Sequence, residues 1–210
     1  MSSYTIPSVI EQTARGERVT DVYSRLLSER IVFIGTPIDD GVANAVVAQI
    51  LHLASAAPDR DIHLYVNSPG GSFTAMLAIY DTMQFVGPDV ATLCVGQAVS
   101  SGAILVAAGA PGKRTILEHG RVLLQQPYTG GNRGSMSDLA LEAAELARVR
   151  AEADGLLARH TGRTVEEIRD GTDRALVLAG EAAVEYGVVD AVASSGGAQL
   201  EAGVALRPDS

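Results

Sequence analysis

The chain has 210 residues, with 16 Lys and Arg against 25 Asp and Glu and a formal charge of −9 at pH 7. That balance argues against nucleic acid or an anionic membrane as the main partner, and no apolar stretch reaches the roughly 18 to 20 residues of a spanning helix. A single cysteine, Cys94, excludes a disulfide within the chain and fits a cytoplasmic setting; with no Trp and 4% aromatics, the core is built of Ala, Val, Leu and Ile.

Residues 1–18 are polar, contain Pro7 and hold no sustained period, so a flexible N-terminal arm is expected. One domain over 19–193 and a disordered tail over 194–210 follow. Asp21 to Glu29 places Val22, Leu26 and Leu27 on one helical face, and Ile31 to Gly35 reads as the first strand. Asp39 and Asp40 cap a helix whose apolar face includes Val42, Val46, Ile50 and Leu53. Asp61 to Val66 is a strand, Asn67 to Gly71 a breaker cluster, Ser72 to Val86 a helix and Val90 to Val95 a further strand. Strands alternating with helices predict an α/β fold, a βαβ array with helices over a parallel sheet.

Gly96 to Ala103 is a small-residue turn between two apolar runs. It reads either as a helix N-cap serine in a Gly/Ala-rich turn or as a nucleophile, Ser100, where a strand tips into a helix beside unpaired N–H groups. The match to G-x-S-x-G is imperfect, because Ala98 stands two before Ser100. The upstream turn at Gly70 and Gly71 brings a second bare N–H toward Ser100 if the two strands are parallel neighbours. No Gly-Lys-Ser/Thr follows it, so a phosphate loop is not indicated.

Residues 114–125 read as two short strands around a turn at Glu118 to Gly120. A glycine-rich segment, Pro127 to Gly134, leads to a long helix capped by Ser135 or Ser137 and running to about His160. Together these form a handle over about 126–160 that is expected to project and meet another subunit. Thr164 to Glu167 is a capping box, and Val177 starts an α/β pair ending near Val192.

Several blocks in order resemble the ClpP family, the proteolytic subunit of the ATP-dependent Clp protease: Asp21 to Leu27, Glu29 to Phe33, Tyr65 to Ser72, Ile79 to Gln84, Gly96 to Ser100, Gly112 to Arg114 and Glu185 to Asp190. Within it the chain most resembles the second of the paired actinobacterial paralogues. The resemblance implies a crotonase-like α/β fold, two heptameric rings stacked into a tetradecamer, and a Ser-His-Asp triad with Ser100 as nucleophile and the Gly71 and Ser101 N–H groups as oxyanion hole. It also implies an AAA+ unfoldase that uses ATP and delivers unfolded proteins; the chain itself is expected to need no cofactor and no metal.

The departures fall on the triad. Where the family has His-Gln-Pro after the strand that follows Lys-Arg, this chain has Gln125-Gln126-Pro127, and where the family's triplet ends in Asp it has Asp173-Arg174-Ala175. A glutamine amide has no usable basicity near neutral pH, and alanine orients nothing. His52, His63, His119 and His160 are expected at surface or rim positions; His119 lies six residues before Gln125, roughly 20 Å along an extended strand. The resemblance places ring-pairing contacts on Asp173 and Arg174, and the unfoldase-docking pocket on His63, Tyr65, Phe85 and Thr115, two of them polar where the family is aromatic.

These residues imply a catalytically impaired subunit with a structural or regulatory role beside an active paralogue. The alternatives are an active serine endopeptidase with an unrecognised base and, more remotely, an acyl-CoA enzyme of crotonase type.

Overall fold

The computed structural model describes residues 5–13, 16–127 and 134–193. The glycine-rich positions 128–133 and the tail expected over 194–210 lie outside the described residues.

β1 (Ser8–Thr13) and β2 (Gly16–Asp21) pair antiparallel from Ser8↔Asp21 to Thr13↔Gly16, a hairpin that the sequence reading of a flexible arm over 1–18 did not include. The hairpin buries no apolar face, with Ile10 and Val19 both exposed. The period that betrays a half-buried strand is therefore missing from the sequence. α1 (Val22–Ser28) follows, its first turn capped by Asp21, which accepts from the Ser24 N–H at 3.0 Å.

β3 (Ile31–Ile34), α2 (Asp40–Ala56), β4 (Ile62–Ser68), α3 (Phe73–Phe85), β5 (Val90–Val99), α4 (Ser101–Ala107) and β6 (Arg114–Leu117) carry the α/β alternation. Asp39 and Ser72 cap α2 and α3 through their side chains. β3, β4, β5 and β6 are parallel neighbours, and β9 (Ala191–Ala193) adds to β6 in the same direction. In β4, Ile62, Leu64, Val66 and Ser68 are buried while His63, Tyr65 and Asn67 are half-buried, the period of a strand with one face on the core. All seven residues of α4 are buried, which is why its sequence is apolar or small all round.

β5 is longer than the expected Val90 to Val95, because Gly96 to Val99 continue the strand. Its first half pairs with β6 (Thr92↔Arg114 to Cys94↔Ile116), and its second half pairs with β7 (Arg121–Leu124) from Gln97↔Arg121 to Val99↔Leu123. Small residues at 96–99 look like a turn locally, yet the β7 backbone supplies the ladder. α5 (Met136–Thr161) and α6 (Val165–Gly171) each start with a capping box, on Ser135 and Thr164. β8 (Leu176–Ala179) runs antiparallel to β7 from Arg121↔Ala179 to Leu124↔Leu176, and α7 (Glu181–Tyr186) leads to β9. Only the C-terminal part of α5, with Ala153, Asp154, Leu156 and Leu157, is buried; Met136 and Leu141 near its start are 84% and 71% exposed.

Two buried arginines lock the frame. The Arg30 guanidinium donates to the carbonyls of Leu53, Ala57, Arg60 and Asp61, closing the C-terminal end of α2 against β3 and β4. The Arg114 guanidinium pairs with Asp190 at 2.5 Å and donates to the carbonyls of Ala107, His160 and Gly187, joining β6, α4, α5 and the turn before β9.

Candidate active site

Ser100 sits where β5 turns into α4, with φ 50 and ψ −108, a conformation that non-glycine residues avoid. Its N–H donates to the Leu123 carbonyl at 2.9 Å and its carbonyl accepts from Ile104, so the elbow is pinned from both sides. Its hydroxyl makes no hydrogen bond among the described residues. A strained serine at the mouth of a buried helix is the geometry of a nucleophile elbow.

The Gly70–Gly71 turn packs directly on this elbow. Gly70 has φ +97, and a Cβ there would stand 2.8 Å from the Val99 carbonyl oxygen. Gly71 has φ +150, bridges Ile38, and leaves no space for a Cβ, which would meet the Ile38 oxygen at 2.2 Å. Its carbonyl accepts from the Ser101 hydroxyl at 3.1 Å. The N–H groups of Gly71 and Ser101 donate to no protein group among the described residues, so two backbone donors flank Ser100 unpaired.

β7 brings the next residue. Leu123 holds the Ser100 N–H, and two residues on, Gln125 lines the same small cavity as Ser100, about 20 Å³ in volume, together with Leu124, Leu157, Asp154 and Thr172. The Gln125 amide forms no hydrogen bond among the described residues. The antiparallel ladder ends at Leu124↔Leu176, so Gln125 and Ala175 each adjoin its last pair, and the Gln126 amide donates to the Asp173 carbonyl at 3.0 Å. Ser100 and Gln125 therefore share one cavity although they lie far apart in sequence, and Ala175 adjoins the β8 end of the ladder that carries Gln125.

A sequence model of the family described as Clp protease matches residues 14–196 of this chain. The chain belongs to the Clp protease family. Its fold, a parallel sheet flanked by helices with a long helix leaving the body, is the Clp-type α/β fold implied by the sequence. Among curated relatives, "ATP-dependent Clp protease proteolytic subunit 4" of Rhodococcus jostii is 58% identical over 195 residues, 93% of this chain and all of the relative. "ATP-dependent Clp protease proteolytic subunit 2" of Streptomyces avermitilis is 56% identical over 194 residues, 92% of this chain and 97% of the relative. "ATP-dependent Clp protease proteolytic subunit 1" of Nocardia farcinica is 56% identical over 198 residues, 94% of this chain and all of the relative. The subunit numbers 4, 2 and 1 do not single out one actinobacterial paralogue.

No histidine reaches the Clp-type site. His52 and His119 are exposed, and His63 lies on β4. His160 is more than the rim residue expected from sequence: it is half-buried, its Nε2 is 2.9 Å from the Tyr80 hydroxyl, and burial followed by the nearby Arg114 and Arg159 pushes its imidazole below the ordinary value. The Tyr80 hydroxyl also accepts from Arg159 at 3.3 Å.

Sequence reasoning missed Asp154. At 3% exposure it is the only buried carboxylate among the described residues, and it lines the cavity beside Ser100. An acidic residue within a charged helix reads as solvent-facing; the available signal was its position three before Leu157, on the apolar stripe of α5.

The positions expected at the docking pocket only partly converge. The register row Phe33–Tyr65–Leu93–Thr115 runs across β3 to β6, and His63 lies two residues before Tyr65 on the same face. Phe85 stands outside this row at the end of α3, 82% exposed. The Thr115 hydroxyl donates to the Thr92 carbonyl at 3.1 Å, and burial holds the His63 imidazole below its ordinary value, with Asp61 opposing and Arg30, Lys113 and Arg60 adding to the shift. Asp173 and Arg174 are exposed, and their side chains engage no partner among the described residues.

Proposed function

We propose that this chain is a ring-forming Clp subunit that is catalytically impaired by itself and acts as a structural and regulatory member of a mixed cytoplasmic complex with an active paralogue. The observation that carries this reading is Gln125. It lines the cavity of Ser100 with an amide that accepts no proton near neutral pH, and Ala175, next to the last pair of the β7–β8 ladder, has no group to orient a base.

In subtilisin, loss of the base alone costs on the order of a millionfold in turnover, and the oxyanion hole and binding that remain give roughly a thousandfold over water. The unpaired Gly71 and Ser101 donors fit such a remnant.

Supporting an assembly role, Asp173 and Arg174 present free side chains, and the exposed Met136 and Leu141 near the start of α5 offer apolar surface for a neighbouring subunit. The face carrying His63, Tyr65 and Thr115 is the docking side for an AAA+ unfoldase that delivers unfolded proteins, and its two polar positions weaken docking relative to an all-aromatic pocket.

The test is a serine-directed phosphonate on the purified chain, read by intact mass. Negligible labelling is expected. Labelling of Ser100 at the rate of an active paralogue would overturn the reading and favour an active endopeptidase with another base.

A further inference from the structure

We infer that Asn67 is a positioning residue for Ser100: its side-chain carbonyl holds a bulge in β5 that brings the serine elbow level with the Gly70–Gly71 turn. The consequence for hydrolysis rests on the Clp-type reading of Ser100, whereas the bulge belongs to the β4–β5 ladder alone.

β4 and β5 pair in step from Ile62↔Val90 to Val66↔Cys94, but the next pair is Ser68↔Ala98, so β5 gains two residues on β4. Asn67 is the β4 residue inside this interval, facing Val95, Gly96 and Gln97. Over the same stretch β5 changes its other neighbour, from β6 at Thr92 to Cys94 to β7 at Gln97 to Val99. Asn67 Oδ1 accepts from the Gln97 N–H at 3.2 Å, so a side chain does there what a strand carbonyl does in a regular ladder. Gly96 makes room for it. A Cβ at that position would stand 2.8 Å from the same oxygen, and its three nearest neighbours would all be Asn67 atoms.

Burial does not select this register. Side chains repeat with a period of two along a strand, so a slip of two residues keeps the same face toward the core. It would nevertheless carry Ser100 about 6.5 Å past the turn. In the bulged register a Cβ on Gly70 would lie 3.6 Å from the Ser100 Cβ, and the Ser101 hydroxyl reaches the Gly71 carbonyl at 3.1 Å. The buried Ser68 ties the turn to the strand, donating to the Thr36 carbonyl at 2.8 Å and accepting from the Gly70 N–H at 3.2 Å. Asn67 is the polar group that favours the bulged register, and Gly96 is the residue that admits it.

The experiment follows amide hydrogen exchange by mass spectrometry, on peptides covering 95–101, in the unaltered chain, Asn67→Leu and Asn67→Asp. Leucine keeps the branched shape and removes the acceptor; aspartate keeps the acceptor. Asn67→Leu is expected to speed exchange over 95–101 by about tenfold to a hundredfold while α2 is unchanged, and Asn67→Asp to restore most of the protection. Asn67→Ala serves if the leucine variant does not fold. Gly96→Ala should reproduce the local loss, and in Gly96→Ala/Asn67→Ala the added methyl should bring no further loss beyond Asn67→Ala, because the oxygen it meets is gone.

On the Gln125→His/Ala175→Asp form, Asn67→Leu should lower kcat on a peptide ester by on the order of tenfold to a hundredfold with KM within about twofold, and Asn67→Asp should recover it. Unchanged exchange over 95–101, exchange that rises equally across the chain, an aspartate variant no better protected than the leucine one, or a kcat that Asn67→Leu does not move would overturn the inference. Exchange needs no turnover, so it decides the role of Asn67 even where Ser100 stays unreactive, the property on which the proposed function depends.

Discussion

Ser100 and Gln125 face one cavity of about 20 Å³, joined through the 2.9 Å hydrogen bond from the Ser100 N–H to Leu123. The Ser100 elbow and the strand that leads to Gln125 are thus a single construction.

If the construction is intact, rebuilding the missing groups should recover hydrolysis. Gln125→His alone restores a base without an orienter, and Gln125→His/Ala175→Asp restores both. The double variant should exceed the single by on the order of a thousandfold to ten-thousandfold in kcat on a small peptide ester, the scale seen when a triad loses only its carboxylate. Equal rates for the two would show that Ala175 does not face residue 125.

The two glycines of the upstream turn should tolerate no side chain. Gly71→Ala forces a Cβ to 2.2 Å from the Ile38 oxygen, and Gly70→Ala forces one to 2.8 Å from the Val99 oxygen, both at positive φ. Each should destabilise by about 2 kcal/mol or more, lowering Tm by roughly 4 to 8 °C. Thermal unfolding of the two variants checks this, and an unchanged Tm would contradict the packing described.

The Arg114–Asp190 pair should be costly to break. Burial acts to raise the Asp190 pKa, but the hydrogen bonds from the Arg114 side chain and N–H outweigh it and hold the carboxyl below the usual range. Its stabilisation is therefore complete above about pH 4 and is lost as the pH falls below that. Asp190→Ala strands a buried guanidinium and should cost about 3 kcal/mol in denaturant unfolding at neutral pH.

His160 gives a second pH dependence. Its imidazole, hydrogen-bonded to Tyr80, is held by burial with its pKa below the ordinary value. A depressed pKa gives stability that is fully present above about pH 6.5 and is lost as the pH falls through the folded value. The His63 imidazole, also depressed, adds in the same direction. Tm should fall between about pH 7 and pH 5, and less steeply in His160→Gln; identical slopes would contradict the Tyr80–His160 contact.

The sequence was most readable where an element has one buried face and a side-chain cap. α2 with Asp39, α3 with Ser72 and α6 with its Thr164–Glu167 box stand where their residues placed them. It was least readable where a partner strand decides. Gly96 to Val99 look like a turn until β7 pairs with them, and the hairpin over 8–21 buries no stripe that would mark it. The site divides in the same way. Ser100 and the Gly70–Gly71 turn announce themselves through local backbone demands, and Gln125 and Ala175 only through likeness to a family. Asp154 was hidden because its burial depends on how the last turns of α5 meet α4 and α6.

The central claim is that this chain contributes structure and regulation rather than its own nucleophile. The most direct measurement is peptide hydrolysis by the purified chain, alone and mixed with an active paralogue, each with a Ser100→Ala control. The account predicts no rate alone and a mixture whose activity is unchanged by Ser100→Ala; a rate that Ser100→Ala abolishes, in either setting, would contradict it.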